Sequence, residues 1–261
     1  MSTTPAAPNL AAVTPDTILK IYSKTNYSFL YAPVFHPGMK NVATVRKELG
    51  WRTIFNLLGP LANPVEGAIE ARLIGVARRD LGPVFAEALR LSGAKKALIV
   101  CGEEDLDEIS CAGRTFCWSL KERSPSRGST GKADPDNVYV EHFTLSPADF
   151  GLPSHALKNV SPGKEPHENA EILTRLLQNQ LPKDDPILEF VLMNTAALFV
   201  VAGVTEADQS DVGDGKVITE RGPGGYRWKE GVRLARWAVE SGEAWKQWTA
   251  FVDVSNNVAS S

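Results

Sequence analysis

The chain has 261 residues, 43% of them hydrophobic, enough apolar material for one large α/β domain or two small ones. Its formal net charge of -3 comes from interspersed acids and bases with no basic block interleaved with aromatics, which excludes a nucleic-acid surface. Cys101, Cys111 and Cys117 fit no zinc spacing and read as buried reduced thiols suited to the cytosol. Residues 1–13 carry no positive charge and no continuous apolar run, so they match no signal or transit peptide and are expected to form a disordered tail. The most apolar segment, 187–204, is interrupted by Glu189 and Asn194 and reads as a core helix rather than a membrane span.

The globular part is expected over residues 14–261. A helix is predicted from an N-cap at Thr14 with Pro15 at its first position, turning Ile18, Ile21 and Tyr22 inward. Residues 28–35, SFLYAPVF, then read as a strand. Pro37 opens a second helix that Gly50 ends. On that helix Met39, Val42, Ala43 and Leu49 share one stripe, and Arg46 lies in its middle, while Lys40, Asn41, Thr44, Lys47 and Glu48 take the wet side. An inward guanidinium needs an anion. On sequence alone that anion is most simply a structural carboxylate.

RTIFNLL at 52–58 and ARLIGVA at 71–77 read as extended, PVFAEALRL at 83–91 as an amphipathic helix closed by Gly93, and KALIVCG at 96–102 as a strand covered on both faces. The simplest unit here is a right-handed βαβ crossover in a largely parallel sheet. VYVEHFTL at 138–145 alternates, as an edge strand does. Helices are expected at 167–179, at 186–202 and from about Tyr226, the last with Trp228, Val232, Ala235, Trp237 and Val239 partly inward. Two Gly-, Ser-, Pro- and Asp-rich segments, 123–137 and 205–225, read as solvated insertions. The fold class is therefore α/β, a partly parallel twisted sheet flanked by helices.

Ligands of open parallel sheets bind beyond the carboxyl ends of strands, and three candidates follow predicted strands: His36-Pro37, Gly59-Pro60 and Asp107-Glu108. The adjacent carboxylates of Asp107 and Glu108 repel each other unless a cation intervenes. By themselves they also read as a solvated acidic turn with Glu103, Glu104 and Asp105.

The run HPGMKNVATVRKELGWRTIFNLLGPLANP (36–64) and the segment DLDEIS (105–110) closely resemble the anthranilate phosphoribosyltransferase family. The resemblance implies a nucleoside phosphorylase/phosphoribosyltransferase-like fold and the transfer of phosphoribose from phosphoribosyl diphosphate to anthranilate in tryptophan biosynthesis. It implies that Arg46 binds the anthranilate carboxylate, that His36, Gly59 and Pro60 line the anthranilate channel, and that Asp107 and Glu108 hold Mg2+ on the diphosphate. His36 reads equally well as a structural residue before Pro37. Magnesium commonly takes one or two protein carboxylates and completes its shell with water and phosphate, which suits this pair.

Family members also carry an upstream helical domain and a glycine-rich GTGGD phosphate loop, which this sequence lacks. The resemblance therefore implies a C-terminal portion of the fold that is incomplete, and a need for a complementing N-terminal polypeptide or a homo-oligomer. A sheet without its early strands is also expected to associate or dissolve poorly. Two other readings remain open: a non-catalytic anthranilate-binding module, and a related enzyme of the pyrimidine-nucleoside phosphorylase type.

Overall fold

The structure, a computed structural model, describes residues 7–50, 54–62, 69–123, 137–161, 163 and 165–258; within its helices the side chains of Lys40, Ala43, Thr44, Arg46, Phe55 and Asn56 lie outside the described set. The chain divides into two compact units, one made of 1–64, 177–179 and 238–261 and the other of 65–176 and 180–237.

In the first unit a short helix α1 (Ile18–Tyr22) buries Ile21 against Val13 and Phe251. It starts later than expected. Thr14 and Thr17 form a closed turn in which each main-chain N–H meets the other's side-chain oxygen, and Tyr22, expected inward, is 44% exposed. Residues 7–13, part of the stretch expected as a disordered tail, are packed here: Val13 is fully buried, and the Asn9 N–H donates to the Ser255 Oγ at 3.1 Å.

The strand expected over 28–35 is absent. Its second half is the helical turn α2 (Ala32–Phe35), which begins with Pro33 in its first turn, where the missing N–H costs nothing. A 3-10 turn at Pro37–Met39 leads into α3 (Lys40–Leu49), ended by Gly50 at φ +63° as expected. Leu49, on the expected apolar stripe, is 53% exposed. Such a stripe marks which face is apolar and does not by itself supply the surface that covers it. The extended reading of 52–58 is also corrected over 54–58, 52 and 53 lying outside the described residues: Ile54–Leu61 form α4, in which Ile54, Leu57, Leu58 and Leu61 recur at helical spacing. Short apolar runs do not distinguish helix from strand by period alone. The last helix of this unit, α9 (Glu243–Asn257), packs Phe251 against Tyr27 in an edge-on contact and was not foreseen as separate; Gly242 at φ +79° makes the break before it.

The second unit holds the sheet, β1 (Arg72–Gly75), β2 (Ala97–Gly102), β3 (Thr115–Glu122) and β4 (Val138–Leu145), in that spatial order. β1 and β2 are parallel and joined by α5 (Leu81–Leu91), the βαβ unit expected from sequence; β2–β3 and β3–β4 are antiparallel. The sheet is thus only partly parallel. β3 has no counterpart in the sequence expectations, whereas β4 lies at the edge as its alternation implied.

Along β2 every residue from Ala97 to Gly102 is buried, because both faces are covered. One face carries α5, where Gly82 lets the Trp118 ring approach to 2.3 Å from where a Cβ would stand. The other packs Leu98, Val100 and Cys117 against Met193, Ala196, Ala197 and Val200 of α7 (Pro186–Ala202) and Trp228 of α8 (Trp228–Glu240). α6 (Pro166–Leu177) precedes these. The Asp185 carboxylate caps α7 through the N–H groups of Ile187 and Leu188, a contribution of about 1 kcal/mol. Glu189, an apparent interruption of an apolar segment, is buried and paired with His155 Nε2 at 2.5 Å.

The segment 124–136, most of the first expected insertion, lies outside the described residues. The second, 205–225, is largely exposed but anchored to α8 and to the residue just before it. Arg227 binds Asp208 at 2.7 Å, Glu230 accepts from the Ile218 N–H at 2.9 Å, and Arg233 reaches Ser210 at 3.0 Å. The three cysteines are free and buried, and burial pushes each thiol upward from its ordinary value, so they stay protonated. Among the described residues no helix is long and apolar enough to cross a membrane.

Candidate functional site

The parallel pair β1–β2 ends beside the loop 103–110, and this loop is tightly specified. The Gly102 N–H donates to the Leu106 carbonyl at 2.8 Å, the Glu103 N–H to the Arg114 carbonyl at 2.8 Å, and Asp105 turns the chain at φ +59°. Ser110, fully buried, donates through Oγ to Glu104 and accepts from the N–H groups of Ala112 and Gly113. The loop's backbone is tied both within itself and to Asn194 of α7, and of its carboxylates Glu104 accepts from Ser110 and Glu103 lies 3.7 Å from Arg114.

Asp107 and Glu108 stand on this loop at the rim of a cavity of about 430 Å³. Leu73 and Gly75 of β1, Val100 of β2, and Phe190, Val191, Asn194, Thr195 and Leu198 of α7 form its walls. Gly75 has a steric reason to be glycine. A Cβ there would stand 1.5 Å from the Asp107 carbonyl oxygen, so the strand end and the loop backbone are in direct contact.

Burial, and then the neighbouring Asp107 charge, raise the Glu108 carboxyl above the ordinary carboxylate range. The pair therefore carries negative charge that the protein itself does not fully offset. Among the described residues no group of three or more His, Cys, Asp or Glu side chains gathers as a metal cage. The donor set thus fits a hard divalent cation that draws its remaining oxygens from water and a phosphorylated ligand, and does not fit a closed structural metal site.

A raised folded pKa means that protonation of Glu108 favours the fold, so its contribution is fully present at acid pH and is lost as pH rises through the raised value. Glu108 is exposed as a residue, so Glu108→Gln is expected to raise the metal-free unfolding midpoint at neutral pH only slightly and to flatten its decline with rising pH, as followed by circular dichroism in a chelating buffer.

The other expected site residues lie in the first unit. His36 is half-buried and ends α2; its N–H donates to the Ala32 carbonyl at 2.8 Å and its carbonyl accepts from the Met39 N–H at 3.0 Å, so its backbone joins α2 to the next turn. Gly59 and Pro60 sit in the last turn of α4, both exposed, and not in a turn after a strand. Arg46 falls on α3, with its side chain outside the described residues. The expectation that all three candidate groups follow strands therefore holds for Asp107-Glu108 alone. His36 and Gly59-Pro60 follow or occupy helices.

Sequence reasoning did not single out Gly75, Asn194 or Thr195 as site residues. For Asn194 a signal was available, a carboxamide within the most apolar segment of the chain. The contact of Gly75 with Asp107 joins positions 32 residues apart and has no local signature.

Residues 8–245 match the family described as glycosyl transferase family, a/b domain. The anthranilate phosphoribosyltransferase of Schizosaccharomyces pombe is 40% identical over 247 residues, which cover 95% of this chain and 59% of that protein. The enzyme of the same name from Caldivirga maquilingensis is 38% identical over 192 residues, covering 74% of this chain and 50% of that one. Among solved structures, anthranilate phosphoribosyltransferase from Saccharomyces cerevisiae in complex with PRPP and Mg has a TM-score of 0.76 at 30% identity, with 96% of this chain and 60% of that chain covered. The Saccharomyces cerevisiae enzyme in complex with 4-fluoroanthranilate gives a TM-score of 0.76 at 31% identity over the same shares. The chain spans about 60% of the length of these structures. By the match over residues 8–245, it belongs to the glycosyl transferase family through that family's a/b domain.

Proposed function

We propose that this chain is the metal-binding portion of an anthranilate phosphoribosyltransferase acting in tryptophan biosynthesis in the cytoplasm. The observation that carries the reading is the Asp107-Glu108 pair on a pinned loop at the carboxyl ends of β1 and β2, open to a cavity. The likeness to enzymes of that name supports it.

In the reaction the anthranilate amine forms a bond to carbon 1 of phosphoribosyl diphosphate while the bond to diphosphate breaks, and the amine proton is released. Charge develops on the ribose and on the leaving group, so positioning and electrostatics dominate. Asp107 and Glu108 would hold Mg2+ against the diphosphate. Magnesium, when bound, neutralises charge on that leaving group. Arg46 would bind the anthranilate carboxylate as a charge-assisted pair, and His36, Gly59 and Pro60 would border the same ligand. The relatives are longer than this chain, and a complementing polypeptide would supply the remaining phosphate contacts.

The test follows loss of anthranilate fluorescence with phosphoribosyl diphosphate and Mg2+, using the chain alone and the chain mixed with the part of the S. pombe relative that the match leaves out. Consumption that requires Mg2+ and the added part is expected, and Arg46→Ala should weaken anthranilate binding at least about tenfold by calorimetry. No consumption in either arm, or anthranilate affinity unchanged in Arg46→Ala, contradicts the reading.

A further inference from the structure

The side chain that reaches the acidic loop from α7 is Asn194. Its Oδ1 accepts from the Ile109 N–H at 3.0 Å, and its Nδ2 donates to the Ile109 carbonyl at 3.4 Å and to the Phe190 carbonyl at 3.1 Å. One carboxamide therefore grips both main-chain groups of the residue that immediately follows Glu108. Ile109 is fully buried and belongs to the core beneath.

Gly75 in turn meets the Asp107 main chain, leaving no room for the loop to sink toward β1. The two carboxylates are thus bracketed between a steric stop and a hydrogen-bonded anchor. Asn194 itself lies in the cavity wall that Asp107 and Glu108 border. In a 17-residue helix whose neighbouring positions Met193, Ala196 and Ala197 are buried and apolar, a side chain serving packing alone needs no amide.

We infer that Asn194 is a positioning residue for the Asp107-Glu108 pair, fixing the loop so that both carboxylates address one cation in the cavity. The inference rests on the metal reading of that pair given above. Without the amide, the Ile109 N–H and carbonyl lose their partners, and the two residues before them regain freedom about their backbone dihedrals. Groups that orient metal ligands without touching the metal commonly change metal affinity by 10- to 100-fold.

The experiment titrates Mn2+ with inorganic diphosphate by electron paramagnetic resonance into the wild-type chain, Asp107→Asn, Asn194→Ala and Val200→Ala. The last removes core volume from the same helix while leaving Asn194 and its hydrogen bonds to Ile109 in place. Asn194→Ala is expected to weaken Mn2+-diphosphate binding about tenfold, whereas Val200→Ala lowers the unfolding midpoint and leaves the affinity as in the wild type. Wild-type affinity in folded Asn194→Ala overturns the positioning role and leaves the metal reading intact. Absence of any Asp107-dependent binding in the wild type overturns both. Should Asn194→Ala fail to fold, amide exchange in the wild type decides: slower exchange at Ile109 on adding Mg2+ and diphosphate supports the role, and unchanged exchange refutes it.

Discussion

Asp107→Asn is expected to reduce the affinity for magnesium with diphosphate by at least about 100-fold, equivalent to roughly 2.7 kcal/mol. The size follows from the donor count. The described residues offer no third acidic, histidine or cysteine ligand, so neutralising one of two carboxylates removes half of the protein's charge at the cation. The fold should tolerate the change, because Asp107 is exposed and its substitution leaves the loop's main-chain hydrogen bonds in place. Unfolding followed by circular dichroism should therefore give a midpoint at or slightly above that of the parent, since the charge that raises Glu108 is gone. A fall in midpoint with unchanged affinity would mean that the pair serves the loop and not a cation.

Gly75→Ala produces the other large effect, and it strikes stability and site together. A methyl group at this position would overlap the Asp107 carbonyl oxygen at 1.5 Å and its carbon at 2.3 Å, distances that only displacement of the loop or the strand end relieves. Neither partner is a flexible side-chain tip. β1 is held in register against β2 from Arg72 to Gly75, and the loop is anchored one side through Asn194 and the other through the Gly102–Leu106 hydrogen bond. Overpacking of this kind costs about 3 kcal/mol, or a fall of roughly 10 °C in the unfolding midpoint for a chain of this size. Mn2+ titration of whatever remains folded at low temperature should show weaker binding than the parent. A parental midpoint would show that the close approach does not exist in solution.

The parts of the fold that were legible in the sequence are those whose signal is local and repeated. α5 declared itself by amphipathic spacing and a closing glycine, β2 by an unbroken apolar run, and α7 by its length and proline start, and all three formed within a few residues of their expected limits. Ser28 to Phe35 and Ile54 to Leu58 differ from their extended reading because aromatic and β-branched residues favour strands, while a proline in the first turn or apolar residues three and four apart serve a helix equally well. β3 was overlooked because Thr115 to Glu122 mixes Ser119, Lys121 and Cys117 into a short segment, and its pairing is decided by β2 and β4 on either side.

The site divides in the same way. Asp107 and Glu108 could be read as a pair because they are adjacent and follow a buried strand. Asn194 could be noticed as polar but not assigned, since its partner lies 85 residues earlier. Gly75 looked like any glycine at a strand end. What sequence could not supply was the packing of α7 against β1, which makes two separate residues, Gly75 and Asn194, the bracket around the acidic loop.

The central claim, that the Asp107-Glu108 loop seats the cation that accompanies diphosphate, is tested most directly by anomalous diffraction from crystals of the chain grown with Mn2+ and inorganic diphosphate. A single strong peak within coordination distance of both carboxylates, with diphosphate oxygens completing the shell, is the predicted result. A peak bound elsewhere, with the pair facing only solvent, would contradict it.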